Sequence, residues 1–338
     1  MKVLFIGGTG TISMAISRQL LAEGHTLYLL NRGSRTAQLP DGAISLEADI
    51  NDSSRVQDLL KDLTFDVAAD FIAFETAQVE RDYELLKDKT KQYIFISSAS
   101  AYQKPLSDYR ITEGTPLSNP KWLYSRNKIA CEEFLMKKYR EEGFPVTIVR
   151  PSHTFDERTV PLGIHGDNGS WQVLKRMKEG KPVLIPGDGT SLWTVTHNTD
   201  FAKGFVGLMG NVHAIGEAVQ ITSDETLTWN QIYGLVADAL GVTLNPLRVS
   251  CDFLDQCSDY DFDSSMMGDK ANSVVFINDK LKRLVPGFTA TKRFDQSVKE
   301  SIAYMESHPE CQVEDPKFDA FCDRVADVLE KAKAAIRG

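Results

Sequence analysis

Short apolar runs alternate with amphipathic segments through the first two thirds of this 338-residue chain. The apolar runs are typical of strands buried on both faces, and the segments between them carry apolar residues at helical spacing. The predicted strands are residues 3–6, 26–30, 43–46, 65–71, 92–97, 146–149 and 218–222, with another near Val195. The predicted helices are residues 11–23, 56–63, 78–88, 121–141, 171–178 and 200–209. Strands separated by helices predict an α/β fold with a Rossmann-type, doubly wound parallel sheet.

The pattern changes after the sixth predicted strand. Residues 156–192 are rich in Gly and Pro, residues 193–222 resume the alternation, and residues 223–338 have a mostly helical pattern. We therefore expect two parts. Residues 1–155 plus 193–222 form a dinucleotide-binding domain, and residues 156–192 plus 223–338 form a smaller, mostly helical C-terminal lobe that binds the substrate.

The first predicted strand ends in a glycine-rich turn that leads directly into a helix. This stretch reads Gly7-Gly8-Thr9-Gly10-Thr11-Ile12-Ser13. Gly7 permits a tight turn, Gly10 permits a phosphate to approach the backbone, and the helix amides then face the negative charge. The stretch predicts a site for the pyrophosphate of a dinucleotide, with Ser13 in place of the third glycine of the usual pattern.

The end of the second predicted strand bears on the choice of nucleotide. NAD-binding proteins usually carry an acid there for the ribose 2′-hydroxyl, whereas this chain has Asn31-Arg32-Gly33-Ser34-Arg35. Arg32 and Arg35 have the charge to hold a 2′-phosphate, although loop arginines are also common on solvated surfaces. The charge pattern therefore favours NADP over NAD as the cofactor.

Composition argues against several classes of function. The net charge of −9 does not suit broad nucleic-acid or anionic-membrane binding, and no apolar run is long enough to span a bilayer. The five cysteines are scattered and form no C-x-x-C pair, so the sequence predicts neither a disulfide framework nor a metal site. Scattered cysteines and the absence of a cleavable signal pattern predict a cytoplasmic protein.

Tyr124 and Lys128 are the candidate catalytic pair. They are four residues apart in the predicted helix 121–141, so they share one face of it. A lysine ammonium and a nicotinamide cation would lower the pKa of the phenol, and Tyr124 would then exchange a proton with a substrate oxygen during hydride transfer. Tyr83 and Lys87 have the same spacing, but they lie in the helix before the fifth strand, and we interpret them as a solvated helix face.

Five motifs of the chain point to one family. They are the glycine turn 7–12, the serine strand 95–102, the Tyr124/Lys128 pair, Arg150-Pro151, and Pro186-Gly187-Asp188-Gly189 followed by His197 and Asp200. Together they resemble the motifs of the extended short-chain dehydrogenase/reductases, the NAD-dependent epimerase/dehydratase family, and the resemblance covers nearly the whole chain. Residues 221–225, 228–233 and 268–270 are similar to a branch of this family that contains chloroplast stem-loop RNA-binding proteins.

The resemblance implies roles for individual residues. Among the three serines that follow the fifth strand, it assigns Ser98 as the hydroxyl that holds the reacting oxygen. The cofactor site predicted from the glycine turn, the strand ends and the family motifs consists of Gly7, Thr9, Gly10, Thr11, Ile12, Asn31, Arg32, Arg35, Asp49, Ile50, Phe71, Ser97, Tyr124, Lys128, Pro151 and Ser152. The resemblance also implies a homodimer formed through the long helices.

Departures from the family pattern narrow the reaction. Sugar 4,6-dehydratases carry an Asp-Glu pair after the catalytic hydroxyl, whereas this chain has Ala99 and Ser100. Trp193 lies near the place where nucleotide-sugar epimerases often have a diphosphate-binding arginine, and it is either a core residue or a wall of the substrate site. We expect His153 and His197 to be hydrogen-bonded structural histidines.

The sequence therefore favours an NAD(P)-dependent oxidoreductase that acts on a secondary alcohol or ketone of a small, sugar-like substrate. Two alternatives remain open. One is a sugar epimerase that retains its cofactor, and the other is an RNA-binding protein that kept the fold. The intact Ser98, Tyr124 and Lys128 set and the acidic net charge argue against the second.

Overall fold

The computed structural model describes residues 1–33 and 39–338. Its strands are β1 Lys2–Ile6, β2 Thr26–Asn31, β3 Ile44–Glu47, β4 Val67–Asp70, β5 Tyr93–Ile96, β6 Arg110–Ile111, β7 Val146–Pro151, β8 His153–Phe155, β9 Val183–Pro186, β10 Leu192–Trp193, β11 Val195–His197, β12 Ala218–Ile221, β13 Leu227–Thr228, β14 Pro246–Val249 and β15 Val275–Phe276. Its α-helices are α1 Thr11–Ala22, α2 Ser53–Leu60, α3 Thr76–Leu86, α4 Leu123–Glu142, α5 Trp171–Lys178, α6 Asn198–Leu208, α7 Trp229–Leu240, α8 Cys251–Gln256, α9 Asp279–Leu284, α10 Phe294–Ser307 and α11 Pro316–Arg337. Residues Asp263–Lys270 form a π-helix.

Seven strands form one parallel sheet in the order β12-β7-β5-β4-β1-β2-β3. The order reverses between β1 and β4, and in such sheets ligands bind beyond the carboxyl ends of the strands at this switch point. The predicted α/β fold with a doubly wound parallel sheet is therefore confirmed. The apolar runs predicted these strands because β4, β5 and β7 are buried along their whole length.

The predicted strand near Val195 does not join this sheet. β11 pairs in parallel with β8, with Val195 opposite His153, and the two form a separate small sheet. The position beside β7 is taken by β12, in which Ala218 pairs with Ile148. The prediction that this part of the chain rejoins the sheet is thus correct for 218–221 and wrong for 195–197.

Helices cover both faces of the sheet. On one face, α1 and α6 pack Ile16, Phe201 and Phe205 against the apolar side chains of the central strands. On the other face, α2, α3 and α4 bury a second apolar cluster that includes Val79 and Leu135. Each sheet face is therefore closed to water, and the carboxyl edge of the sheet is left for a ligand.

Tyr83 is not part of a solvated helix face, so the interpretation of the Tyr83/Lys87 pair is wrong for the tyrosine. The residue is 5% exposed, and its ring packs edge-on against Phe134 and Phe144 between α3 and α4. Its hydroxyl donates to a carboxylate oxygen of Glu142, while Lys87 is exposed. Helical spacing alone could not reveal that α4 covers this ring.

The chain after β12 is mostly helical. A third apolar cluster there includes Trp229 and Tyr233 of α7 and Phe318 of α11. The longest helices, α4 and α11, span 20 and 22 residues and carry many charged side chains. In the part of the chain that the structure describes, no helix combines the length and apolarity of a membrane span.

Candidate active site

The glycine turn adopts a backbone conformation that requires glycine at two successive positions. Gly7 has φ +92° and Gly8 has φ +110°, both in the left-handed region. A Cβ on Gly7 would lie 3.1 Å from Cγ2 of Ile72, and one on Gly8 would lie 2.6 Å from Cδ2 of Leu29. The sequence analysis recognised Gly7, while the steric need for Gly8 depends on its contact with β2.

Ser13 has a specific role at the position where the usual pattern has glycine. Its hydroxyl accepts a hydrogen bond from the backbone N–H of Gly10 at 2.9 Å, so it caps the start of α1. Thr11 and Ile12 form the first turn of this helix, and Ile12 packs against the apolar cluster below it. The turn thus presents the start of a helix at the switch point of the sheet, as a pyrophosphate site requires.

A cleft of about 410 Å³ runs from this turn across the ends of β2 and β3. Six of the residues that line it were predicted to bind the cofactor: Gly7, Thr9, Asn31, Arg32, Asp49 and Ile50. Their convergence fits the adenosine half of a dinucleotide at the carboxyl edge of a doubly wound sheet. Arg35, the other arginine assigned to this end of the cofactor, lies outside the described residues.

Arg81 also lines this cleft, and the sequence analysis missed it. Its guanidinium donates to Oδ1 of Asn51 at 2.9 Å and to Oδ1 of Asp82, whose other oxygen accepts from Tyr93. Only 13% of the Arg81 side chain is exposed. An arginine on an amphipathic helix resembles any solvated charge, so only the packing of α3 beside the β3–α2 connection reveals it.

An acidic side chain, that of Glu47, does lie near the end of β2, but it belongs to the neighbouring strand β3. A Cβ on Gly33 would collide with the carboxylate of Glu47, which ends β3 in the neighbouring strand. The side chain of Asn31 turns to its own backbone and accepts the N–H of Gly33 at 2.9 Å. Arg32 and Glu47 thus bring opposite charges to the same end of the cleft.

Two predicted cofactor residues point their side chains elsewhere. The ring of Phe71 packs against Phe5 and Phe205 in the core, and Ile72 lines the cleft in its place. Ser97 is 1% exposed, and its hydroxyl donates to a carboxylate oxygen of Glu132. Their side chains turn inward at the strand ends, so a cofactor role for either residue stays a prediction that concerns its backbone.

Asp70 shapes the loop that supplies Ile72. Its Oδ1 accepts from the backbone N–H groups of Ile72 and Ala73. Burial, followed by the neighbouring carboxyl of Asp82, raises the pKa of Asp70. This loop connects the cleft, which Ile72 lines, to α4, whose Lys128 donates to the carbonyl oxygen of Ala73.

Two residues distant in sequence, Arg158 and Asn198, approach Thr11. Nη2 of Arg158 lies 3.4 Å from its hydroxyl, and Nδ2 of Asn198 donates to its carbonyl oxygen at 3.0 Å. Arg158 forms an ion pair with the buried Asp156. A cation therefore lies beside the glycine turn, where a pyrophosphate would carry its charge, and no motif near residue 158 had indicated it.

A second cavity, of about 230 Å³, lies beyond the ends of β5 and β7. Ser98, Tyr124, Pro151 and Ser152 line it, as the sequence analysis expected of a site near a reacting group. Trp193 lines it as well, so it is both buried and a wall of the cavity. Within residues 1–33 and 39–338, no group of three or more His, Cys, Asp or Glu side chains is placed to hold a metal ion.

Ser98 is held by a chain of hydroxyls. Its Oγ accepts the backbone N–H of Ser100 at 3.1 Å, and the two hydroxyls share a hydrogen bond of 2.9 Å. Ser125, which follows Tyr124 on α4, donates to Oγ of Ser100 at 2.7 Å. Ser100 and Ser125 were not predicted as site residues, although their hydrogen bonds fix the orientation of Ser98.

Lys128 is anchored between two strand ends. Its Nζ donates to the carbonyl oxygens of Ala73 and Ile96, each at 2.7 Å, and lies 5.7 Å from the ring centroid of Tyr124. Burial lowers the pKa of Lys128 to about 8, with Cys131, Asp70 and Glu132 acting in the opposite direction. The ammonium is therefore desolvated and held at a fixed position beside the phenol.

Tyr124 lies on the same wall as Ser98. Burial raises the pKa of its phenol above 10.0, a hydrogen bond with Ser98 lowers it, and the charge of Asp269 raises it. Lys128 is not among the groups that shift the pKa of Tyr124, so the lowering expected from it is not found. Its ammonium donates to two carbonyl groups instead.

The two histidines behave as expected of structural residues. Nδ1 of His153 accepts the indole N–H of Trp193, and Nδ1 of His197 interacts with Thr199 at the start of α6. Burial lowers the pKa of both. Both imidazoles are therefore neutral and held by hydrogen bonds, and that of His153 lines the second cavity.

Comparison with known proteins identifies relatives of the chain. The 2'-dehydrokanamycin reductase of Streptomyces kanamyceticus is 27% identical over 274 residues, which cover 78% of this chain and 73% of that protein. The chloroplast stem-loop binding protein of 41 kDa b of Arabidopsis thaliana is 30% identical over 253 residues, which cover 71% of this chain and 63% of that protein.

Solved structures share the fold. The epimerase Mth375 of Methanothermobacter thermautotrophicus superposes with a TM-score of 0.74 at 16% identity, over 91% of this chain and 93% of that one. The UDP-glucuronic acid 4-epimerase of Bacillus cereus, solved in complex with NAD, has a TM-score of 0.71 at 17% identity, over 91% and 97%.

A family model matches residues 3–222. This part of the chain contains the seven-stranded sheet and all the residues that the sequence analysis assigned to the cofactor and catalytic sites. Its description is the NAD dependent epimerase/dehydratase family. The resemblance inferred from the sequence motifs is thereby confirmed. The chain belongs to the NAD dependent epimerase/dehydratase family.

Proposed function

We propose that this protein is an NAD(P)-dependent oxidoreductase that acts on a secondary alcohol or ketone of a sugar-like substrate. The observation that carries the proposal is the meeting of Tyr124 and Ser98 on the wall of one cavity, beside the buried ammonium of Lys128. A cavity with two hydroxyls at one point and apolar rings around it suits a polyol with one reacting oxygen.

The residues present fit a dinucleotide. The cleft beside Gly7 and Thr9 would hold the adenosine half, and the first turn of α1 together with Arg158 would face the pyrophosphate. A bound nicotinamide supplies or accepts the hydride, and its oxidised form adds positive charge beside Tyr124. We propose NADP as the preferred form, because Arg32 and Arg81 line the cleft. Glu47 at the same end favours NAD, so the preference is the balance of these charges.

Each catalytic side chain has one role in the proposal. Ser98 donates a hydrogen bond to the reacting oxygen, and Tyr124 exchanges a proton with that oxygen as the carbon changes oxidation state. Lys128 holds positive charge beside the phenol at a position fixed by two carbonyls. Because burial raises the pKa of Tyr124, the phenol needs this charge to act as a base near neutral pH.

Net oxidation or reduction is the favoured outcome. Elimination of water needs an acid and a base near the reacting carbon, and Ala99 and Ser100 occupy the positions after the catalytic hydroxyl. One relative is named as a reductase. Another relative is named as an uncharacterized UDP-glucose epimerase, so retention of the cofactor through a transient ketone is the second candidate.

A spectrophotometric screen tests this proposal. Alcohols and ketones of the sugar and polyol classes are incubated with NADP⁺, NAD⁺ or the reduced forms, and the reduced-nicotinamide absorbance is followed. We expect at least one substrate to change this absorbance in proportion to enzyme. Protein that carries nucleotide as purified and converts a sugar to its epimer with no added coenzyme would support the second candidate and contradict net redox.

RNA binding is tested by its dependence on salt, because one relative is named as a stem-loop binding protein. Contacts with phosphates make binding fall steeply as salt rises. The net charge of −9 leads us to expect no binding to a stem-loop RNA at moderate salt. Tight, salt-sensitive binding together with no redox activity would overturn the enzymatic proposal.

A further inference from the structure

Three charged side chains line the cavity next to Tyr124, and no role has been assigned to them. They are Lys104, two residues after Tyr102, and Asp269 and Lys270, the last two residues of the π-helix. Lys104 is 4% exposed, and 17% of the Asp269 side chain is exposed. Long charged side chains are rarely this buried unless they have partners.

The partners inside the protein are incomplete. Nζ of Lys104 lies 3.7 Å from Oδ1 of Asp269, which is longer than a hydrogen bond. Nζ of Lys270 lies 3.4 Å from the carbonyl oxygen of Gly163, a neutral acceptor at the limit of hydrogen bonding. Lys104 therefore makes no close ion pair with Asp269, and Lys270 has only a neutral acceptor among the described residues.

The remaining charged and titratable neighbours do not balance these lysines. Lys270 faces His153 and His165, and burial followed by the charge of Lys270 lowers the pKa of both imidazoles, so they stay neutral. Burial lowers the pKa of Lys104 and of Lys270 and raises that of Asp269. With all three groups ionised, the described lining of the cavity has one more positive than negative charge.

An anionic group on the substrate would complete this arrangement. It would bring two further acceptor oxygens to ammonium groups that lack close partners, and charge-assisted hydrogen bonds of this kind are the strong ones. The cavity volume of about 230 Å³ suits a substrate of compact size, and the aromatic walls formed by Trp122 and Trp193 suit the apolar faces of a sugar ring.

We infer that the substrate is a sugar or polyol acid, in which a carboxylate or phosphate is bound by Lys104 and Lys270 while the reacting carbinol lies at Tyr124 and Ser98. The inference rests on the proposed function, since it describes the substrate of the same cavity. Asp269 then sets the spacing of the two ammonium groups and rejects substrates that carry a second anion near it.

The test compares binding of matched probes to the holoprotein at constant ionic strength. The probes are inorganic phosphate and three sets, each a hexose, its hexuronate and its 6-phosphate, in the gluco, galacto and manno series. Binding is measured by calorimetry in the presence of saturating coenzyme. We expect at least one acidic probe to bind at least about tenfold more tightly than its neutral counterpart. The hexuronate and 6-phosphate arms distinguish the two kinds of anion.

Variants test which side chains produce the preference for acidic probes. K104M and K270M should each reduce the ratio of acidic to neutral affinity by about tenfold, while coenzyme affinity stays unchanged. D269N should keep or increase the ratio, because it removes the competing carboxylate. K299M, at an exposed lysine of α10, is the matched control and should leave the ratio unchanged.

Three results would overturn the inference. The first is that no acidic probe shows saturable binding, and the second is that neutral hexoses bind as tightly as their acids. The third is that both lysine variants keep the preference for acidic probes. The proposed function is tested separately on the same samples, by the affinity for coenzyme and by the loss of turnover in Y124F. If wild type oxidises neutral sugars as efficiently as their acids, and K270M leaves both rates unchanged, the acidic substrate is refuted and the oxidoreductase proposal still stands.

Discussion

Trp193 donates its indole N–H to Nδ1 of His153 across 3.2 Å, and this hydrogen bond joins the β10–β13 sheet to the β8–β11 sheet at the wall of the cavity that contains Tyr124. The indole also stacks on Trp229 with ring centroids 5.6 Å apart. The bond requires Nδ1 to be an acceptor, so His153 must be a neutral imidazole. Burial lowers the pKa of His153 well below 6.5, in agreement with that requirement.

This arrangement predicts loss of stability in acid. The unfolded chain takes up a proton on His153 near pH 6.5, whereas the folded protein resists it, so the stabilisation present above 6.5 is lost as the pH falls towards the folded pKa. For one group the slope is at most about 1.4 kcal/mol per pH unit. We expect H153Q to flatten the fall in unfolding free energy between pH 7 and pH 5 in urea titrations. His165 and His197 retain their own contributions, and an identical fall in wild type and H153Q would contradict the prediction.

Lys128 predicts a pH dependence of the same sign in the alkaline range. Burial lowers its folded pKa to about 8 from 10.5, so between these values the unfolded chain holds a proton that the folded protein has released. Stability attributable to Lys128 is therefore lowest below pH 8 and rises as the pH increases through that window. The unfolding free energy of wild type minus that of K128M should increase from pH 7 to pH 9.5. A constant or falling difference would show that the ammonium is not desolvated.

The hydroxyl chain predicts a graded effect on rate. S98A removes the donor to the reacting oxygen and should lower kcat by about 10²–10³. S125A leaves Ser98 in place and removes only the support that reaches it through Ser100, so we expect a loss of about tenfold with KM unchanged. Equal losses in both variants, or a loss in S125A that appears only in KM, would contradict a positioning role for Ser125.

Coenzyme preference should follow the charges at the end of β2. R32A should weaken NADP⁺ binding by about tenfold more than NAD⁺ binding, because only NADP⁺ has a 2′-phosphate for the guanidinium. E47Q should act in the opposite direction and strengthen NADP⁺ binding relative to NAD⁺. Dissociation constants from calorimetry check both variants. Parallel changes for the two coenzymes would show that neither side chain senses the 2′ position.

Local patterns in the sequence predicted most of the sheet, because buried parallel strands are apolar along their whole length. They were insufficient for β11, a strand of three residues. It pairs with β8, and this pairing depends on how the chain continues after β7. They also did not indicate that the side chains of Phe71 and Ser97 turn inward, because the direction of a side chain at a strand end depends on the packing behind it.

The glycine turn and the pair on α4 were recognised because their chemistry requires certain residue types at a fixed spacing. Arg81, Arg158, Lys104 and Lys270 were missed, although all of them lie at the two cavities or beside the glycine turn. Arg81, Arg158 and Lys270 come from segments distant in sequence from the motifs that they approach, and Lys104 lies two residues beyond the serine strand 95–102. Such side chains look like ordinary surface charges until the fold brings them together.

The most direct measurement compares Y124F with Y83F for coenzyme binding and for turnover of a substrate found in the screen. Tyr83 packs between α3 and α4, outside the residues lining either cavity, so its variant controls for loss of a tyrosine hydroxyl. We predict that both variants bind coenzyme as wild type does, that Y83F turns over normally, and that Y124F loses about 10²–10⁴ in kcat. Turnover by Y124F at the wild-type rate, or failure of wild-type protein to bind either coenzyme, would contradict the account.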